Sequence, residues 1–176
     1  MLILLNKFQK SYQQTSPFSY LYTKMFFRRM LFTNYQCMNK IIEEDPENQT
    51  GALWLGDYGA ASDKRLLKEK GVRTVLTTAS GLGISYLPMD GIAHKQYNLL
   101  DMPSQNILHV FESTFREIDE GLKRGGVLVH CAAGISRSAT CVIAYLMRKN
   151  ASNFQSTLGF VRNRRRIVCP NIGFER

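Results

Sequence analysis

The sequence predicts an α/β fold with a mainly parallel central sheet flanked by helices. Two observations lead to this class. The runs VRTVLTTA (72–79) and VLVHC (127–131) consist mainly of apolar and β-branched residues, which is typical of strands buried on both faces. Segments with helical spacing of apolar residues lie between and after them, and strands that alternate with helices along a chain favour a parallel sheet.

The first half of this pattern begins at residue 52. The run ALWLGDY (52–58) alternates as a strand does, and residues 60–70 are rich in helix-forming side chains up to Gly71, a suitable helix C-cap. The strand at 72–79 leads into a turn-rich segment, after which AHKQYNLL (93–100) predicts a further short strand.

The second half contains three predicted helices. The first begins near Ile107, because apolar residues then recur every three or four positions as far as Leu122 and form one helix face. The pair Gly125-Gly126 ends it and precedes the strand at 127–131. Residues 138–149 and 153–164 predict the remaining two helices.

The chain of 176 residues has room for one domain and an extension. Residues 1–42 contain no acidic residue but six Lys and Arg, and EEDPENQT (43–50) then forms a short acidic linker. We therefore expect residues 1–48 to be a poorly ordered extension or a targeting segment, since an acid-free basic leader also resembles a mitochondrial transit peptide. The folded domain is expected at 49–176.

Charge and cysteine content limit the classes of partner and compartment. Residues 49–176 hold seventeen Lys and Arg against ten Asp and Glu, which favours an anionic partner. The four cysteines show no C-x-x-C spacing, so free thiols in a reducing compartment are expected. No stretch approaches the ~20 apolar residues of a membrane span. We expect a cytoplasmic or nuclear protein, with a mitochondrial location as the alternative.

The run VHCAAGISRSAT (129–140) combines the parts of an oxyanion site. A buried strand delivers Cys131 to the carboxyl edge of the sheet, where α/β folds bind ligands. The small loop containing Gly134 can turn several backbone N–H groups inward, and a helix starting near Ser138 adds its positive end. Arg137 can grip two oxygens of the same anion. A nucleophile beneath such a cradle predicts phosphoryl transfer to sulfur.

The pattern H-C-x5-R-S at 130–138 resembles the signature of cysteine-dependent protein phosphatases, and the longer VLVHCAAGISRSATCVIAYLM is similar to the dual-specificity branch, near the mitogen-activated protein kinase phosphatases. The resemblance covers about residues 50–174. It includes LWLGDYGAASD (53–63), YNLLDMPSQNI (97–107) and VRNRRRIVCPNIGF (161–174). It implies the same α/β fold and a catalytic cycle that needs no metal or cofactor.

The resemblance assigns roles to the residues of the signature. Cys131 attacks phosphorus and becomes phosphocysteine, Arg137 stabilises the phosphoryl oxygens, Ser138 donates a hydrogen bond to the sulfur, and His130 orients the loop and supports the thiolate. The implied phosphate-binding residues are Ala132, Ala133, Gly134, Ile135, Ser136 and Arg137.

Two further residues match positions outside the signature. The resemblance makes Asp101 the general acid, although the residues alone would equally allow it to cap the following helix. Asn171 matches a position that steadies the phosphate loop.

The chain departs from the family pattern at its ends. Relatives usually have another helix after the Gly-Phe pair at 173–174, so the domain at 49–176 is expected to lack its last helix. Arg166 stands where relatives often have proline. The 48 residues ahead of the domain are too few for a kinase-docking domain, and no kinase substrate can be inferred.

The resulting hypothesis is a protein phosphatase acting on phosphotyrosine and on phosphoserine or phosphothreonine, with phosphorylated proteins as partners and no nucleic acid. One alternative is the same chemistry on a phosphoinositide or an RNA 5′-phosphate. Another is a pseudophosphatase that only binds phosphoproteins. Nucleic-acid binding through RNRRR (162–166) is disfavoured, because such clusters are more often solvated or satisfy a helix end. The sequence does not determine the oligomeric state.

Overall fold

A computed structural model describes residues 35–175. The strands are β1 (Met38–Ile42), β2 (Leu53–Gly56), β3 (Val72–Thr77), β4 (Ala93–Gln96) and β5 (Gly126–His130). The helices are α1 (Tyr58–Ser62), α2 (Lys64–Glu69), α3 (Leu108–Arg124), α4 (Arg137–Asn150) and α5 (Phe154–Arg164). Short 3₁₀ turns lie at Pro88–Asp90 and Ile172–Phe174.

The five strands form one sheet in the order β1-β2-β5-β3-β4. Strands β2, β5, β3 and β4 run parallel to one another, and only β1 is antiparallel, against β2 at the edge. The predicted mainly parallel sheet is therefore confirmed. β5 lies at the centre, and all five of its residues are buried, which agrees with the apolar character of its first four residues.

Helices cover both faces of the sheet. On one face the side chains of Val127 and Val129 join a core built with α3, α4 and α5. On the other face Leu128, which lies between them in β5, packs with Ala60, Leu67 and other residues around α1 and α2. The alternation follows from the two-residue period of a strand and fixes β5, with the cysteine that follows it, in the middle of the molecule.

Local capping divides one predicted helix into two. The Asp57 carboxylate accepts a hydrogen bond from Ala60 N (2.9 Å) and starts α1. Asp63 does the same for Leu66 N (3.0 Å) and starts α2. The sequence predicted a single helix over 60–70; the chain instead turns at Asp63, because an aspartate caps a new helix more readily than it continues an old one. Gly71 ends α2 at φ 66°, as predicted.

The sheet begins ahead of the predicted domain boundary at residue 48. β1 pairs with β2 from Met38 onward, and both Met38 and Ile41 are buried. The acidic run at 43–50 is the connection between these two strands, with an isolated bridge between Asp45 and Thr50. The remainder of the predicted extension, residues 1–34, lies outside the described residues. The expectation that it is poorly ordered therefore stays a prediction.

In the portion of the chain that is described, no helix has both the length and the apolar character needed to cross a bilayer.

Removing β1 tests where the domain starts. We expect a chain of residues 49–176 to unfold at a markedly lower urea concentration than a chain of residues 35–176. The loss of buried Met38 and Ile41 costs about 1.5–3 kcal/mol for each side chain, and β2 becomes an unpaired edge. Urea titrations followed by circular dichroism measure both midpoints. Equal midpoints would place the boundary at residue 48 after all.

Candidate active site

The loop of residues 131–136, hereafter the phosphate loop, joins the centre of the sheet to a helix. It starts directly after β5 and ends where α4 begins at Arg137. Because β5 runs parallel to both neighbours, the loop lies at the carboxyl edge of the sheet, as predicted. Cys131, the first residue of the phosphate loop, is 1% exposed.

Every backbone carbonyl of the phosphate loop accepts a hydrogen bond from a donor that lies outside residues 131–136. The pairs are Cys131 O with His130 Nδ1 (3.2 Å), Ala132 O with Tyr58 N (3.2 Å), Ala133 O with Arg165 Nη2 (3.4 Å), Gly134 O with Arg165 Nε (2.9 Å), Ile135 O with Cys169 N (3.0 Å) and Ser136 O with Thr140 Oγ1 (2.9 Å). With the carbonyls held outward, the backbone N–H groups turn inward and form an anion nest.

Gly134 is required by both conformation and space. Its φ is 66°, in the left-handed region, and a Cβ there would lie 2.4 Å from the Gly56 carbonyl oxygen and 2.8 Å from Arg165 Nη2. Any side chain would therefore push the loop away from β2. The glycine predicted to let the loop curl does so, and it also allows this close packing.

The Cys131 sulfur is surrounded by donors. It accepts hydrogen bonds from Gly134 N (3.3 Å) and Ser138 Oγ (3.2 Å). Burial raises the pKa of this thiol, but the charge of Arg137, the Ser138 hydroxyl and the N–H groups of Ser138 and Ile135 outweigh it, so the net pKa is lowered. Cys141 is equally buried but has only the Thr114 hydroxyl as a donor, and burial raises its pKa to about 12. The lowered pKa of Cys131 therefore comes from the donors of the loop and of the start of α4.

The Arg137 side chain is 12% exposed and packs beside the phosphate loop. Its Nη1 donates to the Leu99 carbonyl (3.1 Å), which fixes the side chain against the segment that carries Asp101. Its Nε is buried and forms no hydrogen bond within residues 35–175, and it lies 3.6 Å from Asp101 Oδ2. A buried donor without an acceptor is costly, so this group is available to a phosphate oxygen.

Asp101 belongs to the same cluster. Its Oδ1 accepts hydrogen bonds from Ser136 Oγ (2.7 Å) and Asn171 Nδ2 (3.3 Å), and Asn171 N donates to the Ser136 hydroxyl (3.0 Å). The alternative role as a helix cap is not observed: Asn106 Oδ1 bonds Leu108 N at the start of α3. The carboxylate instead faces the phosphate loop, where a general acid must stand.

His130 acts on the loop through a directional chain of hydrogen bonds. Burial lowers the pKa of its imidazole to about 4, so the ring is neutral at pH 7. Nδ1 faces the Cys131 carbonyl (3.2 Å), which can only accept, so Nδ1 carries the proton and Nε2 accepts from Thr77 Oγ1 (2.7 Å). The Thr77 oxygen in turn accepts from His94 Nε2 (2.8 Å). The ring orients the loop through its backbone.

The basic run at 162–166 was predicted to be solvated or to satisfy a helix end, and for Arg165 this prediction is wrong. Its side chain is 2% exposed and lies beneath the phosphate loop, where it holds the Ala133 and Gly134 carbonyls. Its Nη1 also donates to Asn39 Oδ1 in β1 (2.6 Å). A guanidinium can be buried here because its planar set of donors meets several acceptors at once. Arg162, Arg164 and Arg166 are exposed.

Comparison with known proteins agrees with this geometry. Residues 53–176 match the family described as "Dual specificity phosphatase, catalytic domain". The chain belongs to this family. It is 40% identical to the mouse dual specificity protein phosphatase 19 over 123 residues, which are 69% of this chain and 55% of that protein. It is 39% identical to the Arabidopsis thaliana dual specificity protein phosphatase 1 over 125 residues, 70% of this chain and 62% of that protein.

Among solved structures, the human tyrosine phosphatase-like serine/threonine/tyrosine-interacting protein superposes with a TM-score of 0.68 at 30% identity, covering 78% of this chain and 90% of that one. Together with the family match, this superposition shows the dual-specificity-phosphatase fold. The matches to the mouse and Arabidopsis relatives span only about three fifths of those proteins, 55% and 62% of their lengths.

The structure brings together the residues that the sequence singled out in this phosphatase domain. One cluster holds Cys131, the loop from Ala132 to Ser136, Arg137, Ser138, His130, Asp101 and Asn171. Sequence reasoning missed Arg165, Thr77 and His94. None of these stands in a local motif, because their roles depend on contacts between distant segments. Within residues 35–175, no three His, Cys, Asp or Glu side chains form a group that could hold a metal ion.

Replacing Arg165 with methionine tests whether it sets the reactivity of the phosphate loop. The variant frees the Ala133 and Gly134 carbonyls, so the inward N–H groups lose their alignment and the pKa of Cys131 rises. We expect the pH profile of Cys131 alkylation by iodoacetamide to move to higher pH, with slower alkylation at pH 7. Leaving buried carbonyls unpaired should also cost about 1–3 kcal/mol of unfolding free energy.

The matched control is Arg164→Met, because Arg164 is exposed and stacks on Phe160. It should leave the alkylation profile unchanged. An Arg165→Met protein that is folded by circular dichroism and alkylates like the wild type would show that Arg165 contributes to stability alone.

Proposed function

We propose that this protein hydrolyses phosphotyrosine and phosphoserine or phosphothreonine residues of proteins through a phosphocysteine intermediate. One observation carries the proposal: the sulfur of Cys131, whose pKa is lowered by Arg137 and the donors around it, shares a cluster with Asp101 and Arg137. The Arg137 Nε forms no hydrogen bond within residues 35–175 and lies 3.6 Å from the Asp101 carboxyl group. Nucleophile, phosphate clamp and proton donor therefore converge on one point.

In the first half-reaction the Cys131 sulfur forms a bond to phosphorus as the ester P–O bond breaks. The inward N–H groups of the phosphate loop and the Arg137 guanidinium stabilise the charge on the three equatorial oxygens. Asp101 in its protonated form gives its proton to the departing oxygen, which leaves as a neutral alcohol or phenol.

In the second half-reaction a water molecule attacks the phosphocysteine. The Asp101 carboxylate takes a proton from this water, the P–S bond breaks, and inorganic phosphate is released. The sulfur departs as a thiolate, and the Ser138 hydroxyl, 3.2 Å away, donates a hydrogen bond to it as charge develops. The enzyme returns to its starting protonation state.

The composition of the phosphate loop supports a protein substrate. Its variable positions are filled by Ala132, Ala133 and Ile135, none of which adds charge for the further phosphates of a phosphoinositide. The intact set of Cys131, Arg137 and Asp101 supports catalysis over phosphoprotein binding alone.

Hydrolysis of an aryl phosphate and of phosphopeptides by the purified full chain tests the proposal. We expect turnover that vanadate inhibits, since vanadate mimics the five-coordinate phosphorus, and that EDTA leaves intact. Cys131→Ser should abolish turnover, because a serine hydroxyl stays protonated near neutral pH, while phosphopeptide binding persists. A Cys131→Ser protein that keeps a tenth of wild-type activity would remove Cys131 as the nucleophile.

The role of Asp101 as proton donor predicts a dependence on the leaving group. General acid catalysis contributes about 10²–10⁴-fold, and most where the departing oxygen is strongly basic. Asp101→Asn should therefore reduce kcat on a phosphoserine peptide far more than kcat on a nitrophenyl phosphate. Asn106→Ala, which removes the hydrogen bond that Leu108 N donates at the start of α3, serves as the control. Equal losses on both substrates would show that Asp101 only positions the loop.

A further inference from the structure

Three large apolar side chains are exposed beside the phosphate loop. Leu100 and Met102 flank Asp101 and are each 51% exposed, and Ile172 follows Asn171 and is 66% exposed. We call these three side chains the apolar rim. Residues 35–175 expose only seven large apolar side chains, so three of the seven lie next to the two residues that contact Ser136.

The apolar rim stands on backbone that is fixed from below. Leu99 is fully buried and Phe174 is 6% exposed, so each of the two segments carrying the rim is anchored in the main core. The segments also touch each other: a Cβ on Gly173 would lie 2.1 Å from the Pro103 carbonyl oxygen. The exposure of the rim is therefore not a consequence of a loosely attached loop.

Because the rim residues are next to Asp101 and Asn171, which contact Ser136, a substrate whose phosphate sits in the loop has its neighbouring residues close to the rim. Covering apolar side chains is favourable in proportion to the area removed from water, whereas a sugar or inositol head group would set hydroxyl and phosphate groups against it. Exposed apolar patches beside a functional site commonly mark where a partner binds.

We infer that the apolar rim binds a bulky aliphatic or aromatic side chain adjacent to the phosphorylated residue of a peptide substrate. The inference rests on the proposed phosphatase function and adds a sequence preference to it. Leu100, Met102 and Ile172 are then the specificity-determining residues, while Cys131 and Arg137 carry the chemistry common to all substrates.

Two phosphotyrosine peptides that differ only in the residues on either side of the phosphotyrosine provide the test, one with leucine and one with serine. For the full chain we expect kcat/KM to favour the leucine peptide by about tenfold, the lower end of the discrimination that apolar pockets achieve. Combined Leu100→Ser, Met102→Ser and Ile172→Ser substitutions should reduce this ratio to about two or less.

Met89→Ser is the matched control. Met89 is 87% exposed, but its 3₁₀ turn precedes β4 and so lies at the amino edge of the parallel strands, opposite the phosphate loop. This variant should keep the wild-type ratio. Single substitutions at the rim give the same comparison if the triple variant does not fold.

The outcomes separate the inference from the proposed function. Hydrolysis of both peptides at equal rates would contradict the inference about the apolar rim but would still support the proposed phosphatase activity. If neither peptide is hydrolysed, the proposed function fails. The inference about the apolar rim is then tested by the dissociation constants of the two peptides from the Cys131→Ser variant. Tighter binding of the leucine peptide supports the inference, and equal dissociation constants overturn it.

Discussion

The site depends on one constraint: hydrogen bonds hold the backbone carbonyls of the phosphate loop so that they point away from the Cys131 sulfur. A loop of this length has few conformations in which several N–H groups point at one sulfur, and nothing in its own small side chains selects them. The selection comes from donors outside the loop, which hold each carbonyl from Cys131 to Ser136. The lowered pKa of Cys131 and the anion nest are two results of this one arrangement.

These donors come from the whole length of the described chain. Tyr58 lies at the start of α1, Arg165 and Cys169 follow α5, and His130 is the last residue of the central strand. The sheet brings them within reach, since parallel pairing gathers the ends of β2, β3 and β5 at one edge. The α/β architecture thus acts on the chemistry through backbone hydrogen bonds as well as by placing side chains.

The sequence predicted what depends on local pattern. The buried strand before Cys131, the periodic helix from Ile107 and the glycine of the phosphate loop all follow from composition over a few residues. It did not predict β1, whose sequence MNKII has no clear alternation and gains its structure from pairing with β2. The role of Arg165 could not be predicted for a related reason. This arginine differs from the others in the basic run only in its hydrogen-bond acceptors, which lie 31 and 126 residues away in the sequence.

The bond between Arg165 and Asn39 links the catalytic loop to the edge of the sheet. β1 pairs with a neighbour on one side only, and edge elements are among the first parts of a protein to open in local fluctuations. When β1 detaches, Arg165 loses its Asn39 partner and with it part of the support for the Ala133 and Gly134 carbonyls. Opening of this edge strand therefore weakens the support of the phosphate loop while the central strands are still folded.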